Sequence, residues 1–544
     1  MLRFQRLLAS ALLLFGLAGA DVPAPPAIVP GGIVNTASRL PASLRGGALA
    51  PGLRFTIPGV RLGPEVAVGA SENDPPVKLA DVSVRIQQGE RAVDAGLLRV
   101  SATSIEAWMP ETAPVGDVEL TVTYQGRTSE PYKLKLVGAN AGFYTPANAP
   151  DGLSEAKRGV DAVRGDTVAL WGTGLGGIAD VFVGGKRAEE VHVSAAECCK
   201  GVEKVAFRVP GGTSYGCFVP VEGRTADNRP TNGVGIAVHA PGEPCRDALD
   251  WYRESAEQAR RAGFVALARI SVDVAPAREI APNPGQRFLF DYAIASFGRQ
   301  DSGERQFPPL PPLGTCRGFT TRVKLRQLVG QSRNPGEWTS MPGQARGNRR
   351  LDAGDAISVA GTNGERRLVR DRRQQDYYDA VLGGALPFSR APATPLYLAS
   401  GAYRLSGPGG ADIGPFSAEV AVTGPLVWKN RSRVDVVDRD AGVTVIWKAA
   451  RSSDAILILA ENTDRESGDS AACLCMAPGE AGRFLIPPLA LGNLPPTVDL
   501  EGLAVSYLLL MELPAEPPAR IQARGLDAAF AAFVSVSARP VSYR

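Results

Sequence analysis

The chain has 544 residues, 44% hydrophobic and 21% charged, which places it near the globular average and excludes a disordered or collagenous chain despite 61 Gly and 44 Pro. A formal charge of only +3 gives no global electrostatic case for nucleic acid or an anionic membrane. With His192 and His239 as the only histidines, a His-rich metal centre is excluded and a histidine-dependent triad must use one of these two.

In chain order, Arg3 and Arg6 supply a basic start, Leu7 to Leu17 an apolar stretch, and Ala18-Gly19-Ala20 a small-residue cleavage site before Asp21. This is the pattern of a secretory signal over 1–20, and it implies a secreted or periplasmic protein. The apolar stretch is too short to span a bilayer. No later segment approaches about 20 uninterrupted apolar residues, so no transmembrane segment is expected. Residues 21–51, rich in Pro, Ala and Gly, read as an extended leader.

An internal duplication follows. Gly52-Leu53-Arg54-Phe55-Thr56-Ile57-Pro58-Gly59 aligns with Gly165-Asp166-Thr167-Val168-Ala169-Leu170-Trp171-Gly172, Gly89-Glu90-Arg91-Ala92 with Gly185-Lys186-Arg187-Ala188, and Pro110 and Gly116 with Pro210 and Gly216. Anchors in the same order define one unit present twice, over 52–138 and 139–244. Short alternating strands are predicted at Ser104 to Met109 and Asp117 to Tyr124, and again at Lys204 to Val209 and Cys217 to Val221. Repeats of this size with that spacing fit immunoglobulin-like sandwiches.

These phrases resemble a known family. Gly32-Ile33-Val34-Asn35-Thr36-Ala37-Ser38, Leu49-Ala50-Pro51-Gly52, Leu170-Trp171-Gly172-Thr173-Gly174-Leu175-Gly176, the Cys198-Cys199 pair and Gly216-Cys217 are similar to tandem IPT/TIG-type repeats of exported, uncharacterised proteins of acidobacterial type. Gly409-Gly410-Ala411-Asp412-Ile413-Gly414-Pro415-Phe416, Val437-Asp438-Arg439 and Gly525-Leu526-Asp527-Ala528 extend the resemblance towards the C-terminus. It implies a fold and export, and no activity. Cys473 stands out as an extra cysteine against that pattern.

After the repeats, a packing helix is predicted near 247–262, capped by Asp247 and stopped by Gly263, with Leu249, Tyr252, Ala256 and Ala259 as its apolar stripe. Strands resume at Phe264 to Val274, Arg287 to Phe297, Ala356 to Ala360 and Ala418 to Val422, giving a β-rich domain over 245–424. A C-terminal immunoglobulin-like sandwich is expected over 425–544, with strands at Val443 to Trp447, Ala455 to Leu459, Arg483 to Ile486, Leu503 to Leu510 and Phe530 to Val536. The fold class is therefore all-β: tandem immunoglobulin-like β-sandwiches, then further β-sandwich units. Trp108, Trp171, Trp428 and Trp447 fall in strand patterns and are assigned to the core.

Of the seven cysteines, Cys198, Cys199, Cys217 and Cys245 allow three connectivities. Pairings between separated residues are expected, because a bridge between neighbours closes almost no loop. Cys316 to Cys475 is a plausible long-range bridge, which leaves Cys473 as the odd thiol. In an oxidising compartment disulfides outweigh a metal held by His192 with Cys198 and Cys199.

Few motifs point to chemistry. Gly172 to Gly177 satisfies G-x-G-x-x-G, but Asp180 to Val183 reads as a strand where a dinucleotide site needs a helix. Gly184-Gly185-Lys186 lacks the earlier glycine of a phosphate loop, and Ser154-x-x-Lys157 lacks its companion K-T-G. Asp435, Asp438 and Asp440 read as an acidic turn and not as a calcium loop. No cofactor, metal or catalytic residue is therefore assigned. Trp338, in a Gly/Pro-rich loop, and the basic run Arg322, Lys324, Arg326, Arg333, Arg346, Arg349 and Arg350 are the candidate ligand contacts, suited to stacking on a sugar and pairing with an anionic polysaccharide. The expected function is that of an exported, non-catalytic binding or adhesion protein recognising polysaccharide or a cell-surface protein. The alternatives are a structural spacer or envelope-assembly component, and a polysaccharide-active enzyme with its carboxylates in the C-terminal half.

Overall fold

The computed structural model describes residues 24–151, 153–253, 259–274, 286–299, 310–322, 349–371, 377–387, 391–464, 466–497 and 506–544. The expected signal segment 1–20 lies outside them. The chain is nearly all β. No helix among the described residues is long and apolar enough to cross a membrane.

Alternation builds the first sandwich. In the strand Val82–Gln88, Val82, Val84 and Ile86 are buried while Arg85 and Gln87 face outward, the period of a sheet with one face on a core. One sheet runs in the order Ala27–Ile28, Arg54–Val60, Ser104–Trp108, Gly96–Val100, Val68–Gly69, and the facing sheet in the order Arg127–Thr128, Gly116–Tyr124, Val82–Gln88, Arg91–Asp94. The strand Tyr132–Leu136 also pairs with Gly116–Tyr124. Phe55, Ile57, Ile105, Ala107, Leu120 and Val122 fill the space between the sheets.

The second sandwich repeats this wiring. Thr167–Thr173, Glu203–Arg208 and Glu189–Ala195 lie in the order of Arg54–Val60, Ser104–Trp108 and Gly96–Val100. Lys186–Arg187, Ile178–Val183, Gly216–Thr225 and Val234–His239 reproduce the facing sheet. The glycine run turns through Gly174, whose φ is 71° and where a Cβ would stand 2.0 Å from the Asn140 carbonyl oxygen. Only glycine fits that turn, and the chain leaves it through the single 3-10 turn Leu175–Gly177 into the strand Ile178–Val183.

The segment read as an extended leader packs against the body. Val34–Asn35 pairs with Phe55 and Thr56, the Asn35 carboxamide oxygen accepts from the Ala37 and Ser38 N–H groups, and Leu40, Leu44 and Leu49 are buried. The side-chain bonds of Asn35 turn the chain back on itself, so the apolar residues that follow reach a surface to cover.

Beyond the sandwiches, the segments 245–424 and 425–544 interleave in one large sheet. Its order is Thr315–Arg322, Asp469–Pro478, Ala455–Thr463, Tyr507–Leu513, Ala528–Pro540, Arg261–Asp273, Arg287–Arg299, Tyr377–Gly384, Gly364–Asp371, Ala356–Gly361, Gly401–Gly407, Phe416–Val422. The two segments join in register along the parallel pair Arg261–Asp273 and Ala528–Pro540. Both faces of the central strands are covered. Val265 and Leu267 enter one core while Ala266, Ala268 and Ile270 enter another, and Ile456 and Ile458 are divided from Leu457 in the same way. Two buried faces explain apolar runs without alternation.

Two expectations are corrected here. Of the helix expected near 247–262, the described residues show the turn Asp250–Arg253. Residues 254–258 of that prediction lie outside the described residues, and Arg261 and Ala262 are already strand, paired with Arg299 and Gly298. The Asp247 N–H donates to the Asp250 carboxylate at 3.3 Å, and the Asp247 carboxylate accepts from the Cys217 N–H at 2.8 Å. Of the four tryptophans assigned to the core, Trp428 and Trp447 are buried, whereas Trp108 and Trp171 are half-buried with Lys200 and Lys204 over their rings.

Candidate functional site

A groove of about 620 Å³ lies beside the strand Tyr377–Gly384. Two glycines create it. Gly384 has φ 103°, and a Cβ at Gly383 would stand 2.1 Å from the Pro395 carbonyl oxygen, so only the bare backbone lets the segment 391–397 run alongside. The Gly384 and Thr394 backbones exchange hydrogen bonds in both directions. Tyr397 is buried at the groove, and its hydroxyl donates to the Gly364 carbonyl at 2.7 Å. The Asn363 amide donates to the Tyr397 carbonyl at 2.8 Å. Arg366 lies with its guanidinium 5.1 Å from the Tyr397 ring centroid, a cation–π placement that orients the charge while leaving it exposed. Val381, Leu386, Pro392 and Leu396 supply apolar lining. A cleft that combines apolar side chains with a few fixed polar groups is the form of a ligand site.

A second cavity, of about 280 Å³, gathers Glu419, Asp454, Glu512 and Glu516 around Arg451. The Arg451 guanidinium holds Asp454 at 3.0 and 2.9 Å. Glu512 accepts from the Ala450 and Arg451 N–H groups at 2.7 and 3.2 Å. Burial, which those bonds only partly offset, raises its carboxyl above the usual range of about 4.5. An acid raised in the fold contributes stability that is fully present below its unfolded value and lost as the pH climbs through its folded value. Glu512→Gln stays neutral and keeps an oxygen for both N–H groups. Urea unfolding at about pH 4 and about pH 8 is therefore expected to show the variant gaining on the wild type at the higher pH; parallel curves would contradict the assignment.

Of the residues singled out from the sequence, Trp338 and Arg346 lie outside the described residues. Arg349 and Arg350 form a short strand on Arg299 and Gly298, and the Arg350 guanidinium donates to the Ser296 hydroxyl at 2.5 Å. That places them at the far end of the strand Arg287–Arg299 from the groove, which borders the pairs Tyr292 with Val381 and Phe290 with Gly384. The groove was missed because its residues read locally as a Gly/Pro loop; Gly383-Gly384 followed by Pro392 and Pro395 is the only signal. The acidic turn is satisfied internally and by arginines: Asp438 accepts from the Asp440 and Ala441 N–H groups, Asp440 pairs with Arg45 at 2.6 Å, and Asp435 pairs with Arg539.

The cysteines pair as Cys198–Cys199, Cys217–Cys245 and Cys316–Cys475, with Cys473 a buried thiol. The expectation against a bridge between neighbours is overturned at Cys198–Cys199. Loop entropy says how little such a bridge stabilises, not whether it forms; a tight turn at 197–201 brings the two side chains together. Cys316–Cys475 joins directly opposed residues of the antiparallel pair Thr315–Arg322 and Asp469–Pro478. Over Gly318 on that pair stands Glu222, from the second sandwich, whose carboxylate accepts from the Gly318 N–H at 3.4 Å. Burial pushes its carboxyl up to about 7, against the opposing influence of that bond and of Arg317.

No family model and no curated protein matches the chain. Among solved structures it is similar to SGBP-B of the Bacteroides ovatus mixed-linkage glucan utilization locus, solved in complex with a mixed-linkage heptasaccharide. The identity is 14%, over 36% of this chain and 44% of that chain, with a TM-score of 0.20. This chain thus covers less than half of that protein. It is also similar to SGBP-B from a xyloglucan utilization locus of Bacteroides uniformis (11% identity, 68% of this chain and 89% of that chain, TM-score 0.17). A tandem pair of titin immunoglobulin domains matches at 11% identity, over 36% of this chain and 91% of that chain, with a TM-score of 0.14. The structural neighbours are immunoglobulin-like and β-sandwich proteins.

Proposed function

We propose that the protein is an exported, non-catalytic binding protein. In this reading two N-terminal immunoglobulin-like units of IPT/TIG type are fixed to a larger β body, and the groove beside Tyr377–Gly384 takes an anionic polysaccharide. The observation that carries the reading is Arg366, exposed at the rim of a cleft of about 620 Å³ and oriented by Tyr397. A guanidinium in that position pairs with the carboxylate or sulfate of a sugar, while Leu386, Pro392 and Leu396 meet its apolar face. Export rests on the basic, apolar and small-residue order of 1–20.

Depletion of the protein from solution by a panel of insoluble and immobilised polysaccharides tests this. Retention on anionic members is expected, falling steeply as salt is raised, and Arg366→Ala is expected to weaken it about tenfold. Equal retention of the variant would remove the groove from the reading, and no retention by any member would leave a surface protein as the partner. New reducing ends appearing during the incubation would transfer the function to the acidic cavity of Glu512 and Asp454.

A further inference from the structure

Period two along Asp469–Pro478 sets Cys473 and Cys475 on one face of the sheet. On the neighbouring strand Cys316 stands opposite Cys475, and Gly318 opposite Cys473. These are four corners of a cross-strand square, three of which carry sulfur. The fourth has no side chain of its own, and Glu222 approaches it from the second sandwich: a Cβ at Gly318 would meet the Glu222 Oε1 at 3.7 Å, and one at Gly233 would meet it at 3.3 Å. Glycines at both positions leave the space that the carboxylate occupies. The three sulfurs lie within 4.8 Å of one another and all are buried. Cys473 and Cys475, which are not bonded to each other, have their Sγ atoms 3.6 Å apart. Around a tetrahedral ion with metal–sulfur bonds of about 2.3 Å, neighbouring sulfurs stand about 3.8 Å apart.

We propose that the reduced form of this cluster is a divalent-metal site for Zn(II) or its softer analogue Cd(II), with Cys316, Cys473 and Cys475 as a three-sulfur set and the Glu222 carboxylate, which stands outside the close group of sulfurs, moving in as the fourth ligand. The Cys316–Cys475 bond occupies two of the ligands, so the oxidised protein does not bind. Opening the bond takes two electrons and two protons from a phosphine or dithiol reductant. The ion then displaces three thiol protons to solvent, and no further electron moves. Arg317, beside Glu222, offsets part of the negative charge gathered there. The site spans the second sandwich and the large sheet, so the ion would tie the two together.

The test uses the full chain, reduced anaerobically with a phosphine, freed of reductant and titrated with Cd(II). Thiolate-to-cadmium absorption, proton release and cadmium NMR are followed. A variant with Cys316, Cys473 and Cys475 all changed to Ser reports what the remaining four cysteines bind. The wild type is expected to take up one additional ion with release of at least three additional protons. Its thermal midpoint should rise with the ion while that of the triple variant does not. Cys473→Ser is expected to lower affinity at the site at least about 100-fold, and Glu222→Gln about 10- to 100-fold with the number of thiolates unchanged. Equal uptake by wild type and triple variant, or no rise in the thermal midpoint, would overturn the site. An unchanged affinity and NMR shift in Glu222→Gln would overturn the oxygen ligand.

Discussion

Replacing both members of the Cys316–Cys475 bridge with alanine is expected to lower the unfolding free energy by about 3–5 kcal/mol, while Cys198→Ser with Cys199→Ser changes it by less than about 1 kcal/mol. The contrast follows from sequence separations of 159 and 1 residues. The long bridge restrains a large part of the denatured chain, and the short one almost none of it. Position reinforces the difference. Cys316 and Cys475 lie in the core that holds Trp428, Trp447, Ile456 and Ile458, so the alanines also remove buried sulfur from a packed site. The double substitution is needed because losing Cys475 alone leaves Cys316 beside the Cys473 thiol, free to form a replacement bridge. Urea unfolding followed by tryptophan fluorescence reads the loss as a lowered midpoint. An unchanged midpoint would mean that the denatured chain is already held compact between these residues.

Strands were legible wherever one face meets solvent. Val82, Val84 and Ile86 alternate with polar neighbours, and the duplication could be read because equivalent turns keep their glycines. What sequence pattern does not carry is the identity of the pairing partner. Ala266 lies beside Ala532 and Cys316 beside Cys475, and in a strand covered on both faces, such as Ala455–Thr463, even the alternation disappears. That strands of 245–424 and 425–544 share the large sheet is therefore not visible in the sequence. The helix expected near 247–262 is present at Asp250–Arg253 and differs at its C-terminal end, where strand pairing with Arg287–Arg299 claims Arg261 and Ala262, and long-range pairing overrides a local period. At the candidate groove, Arg366 carried no special mark among the many arginines; its significance comes from Tyr397, which the fold sets beneath it.

Arg431→Met is expected to cost about 3–5 kcal/mol, although Arg431 sits in a short polar turn that reads as surface. Its side chain is buried and reaches across the parallel strands that join the two C-terminal segments. Nε donates to Asp273 at 2.8 Å, one terminal nitrogen to the Ser271 and Ser537 hydroxyls at 2.8 Å each, and the other to the Ala538 carbonyl at 2.6 Å. Burial draws the guanidinium down to about 10, with the Asp273 carboxylate acting in the opposite direction, so it remains charged at neutral pH. Methionine fills much of the volume and satisfies none of these groups, and among the described residues Asp273 then keeps only Arg287, at 3.2 Å. Lysine keeps the charge but not the planar fork that serves four residues at once, so Arg431→Lys should recover only part of the loss. Adding Asp273→Asn to Arg431→Met removes the stranded carboxylate and should restore about 1–2 kcal/mol, a coupling that a double-mutant cycle in urea measures directly. Strictly additive effects, or a methionine variant within about 1 kcal/mol of wild type, would show that the parallel seam holds without this arginine and that its stability lies in the apolar packing of Ala266, Ile270, Val534 and Val536.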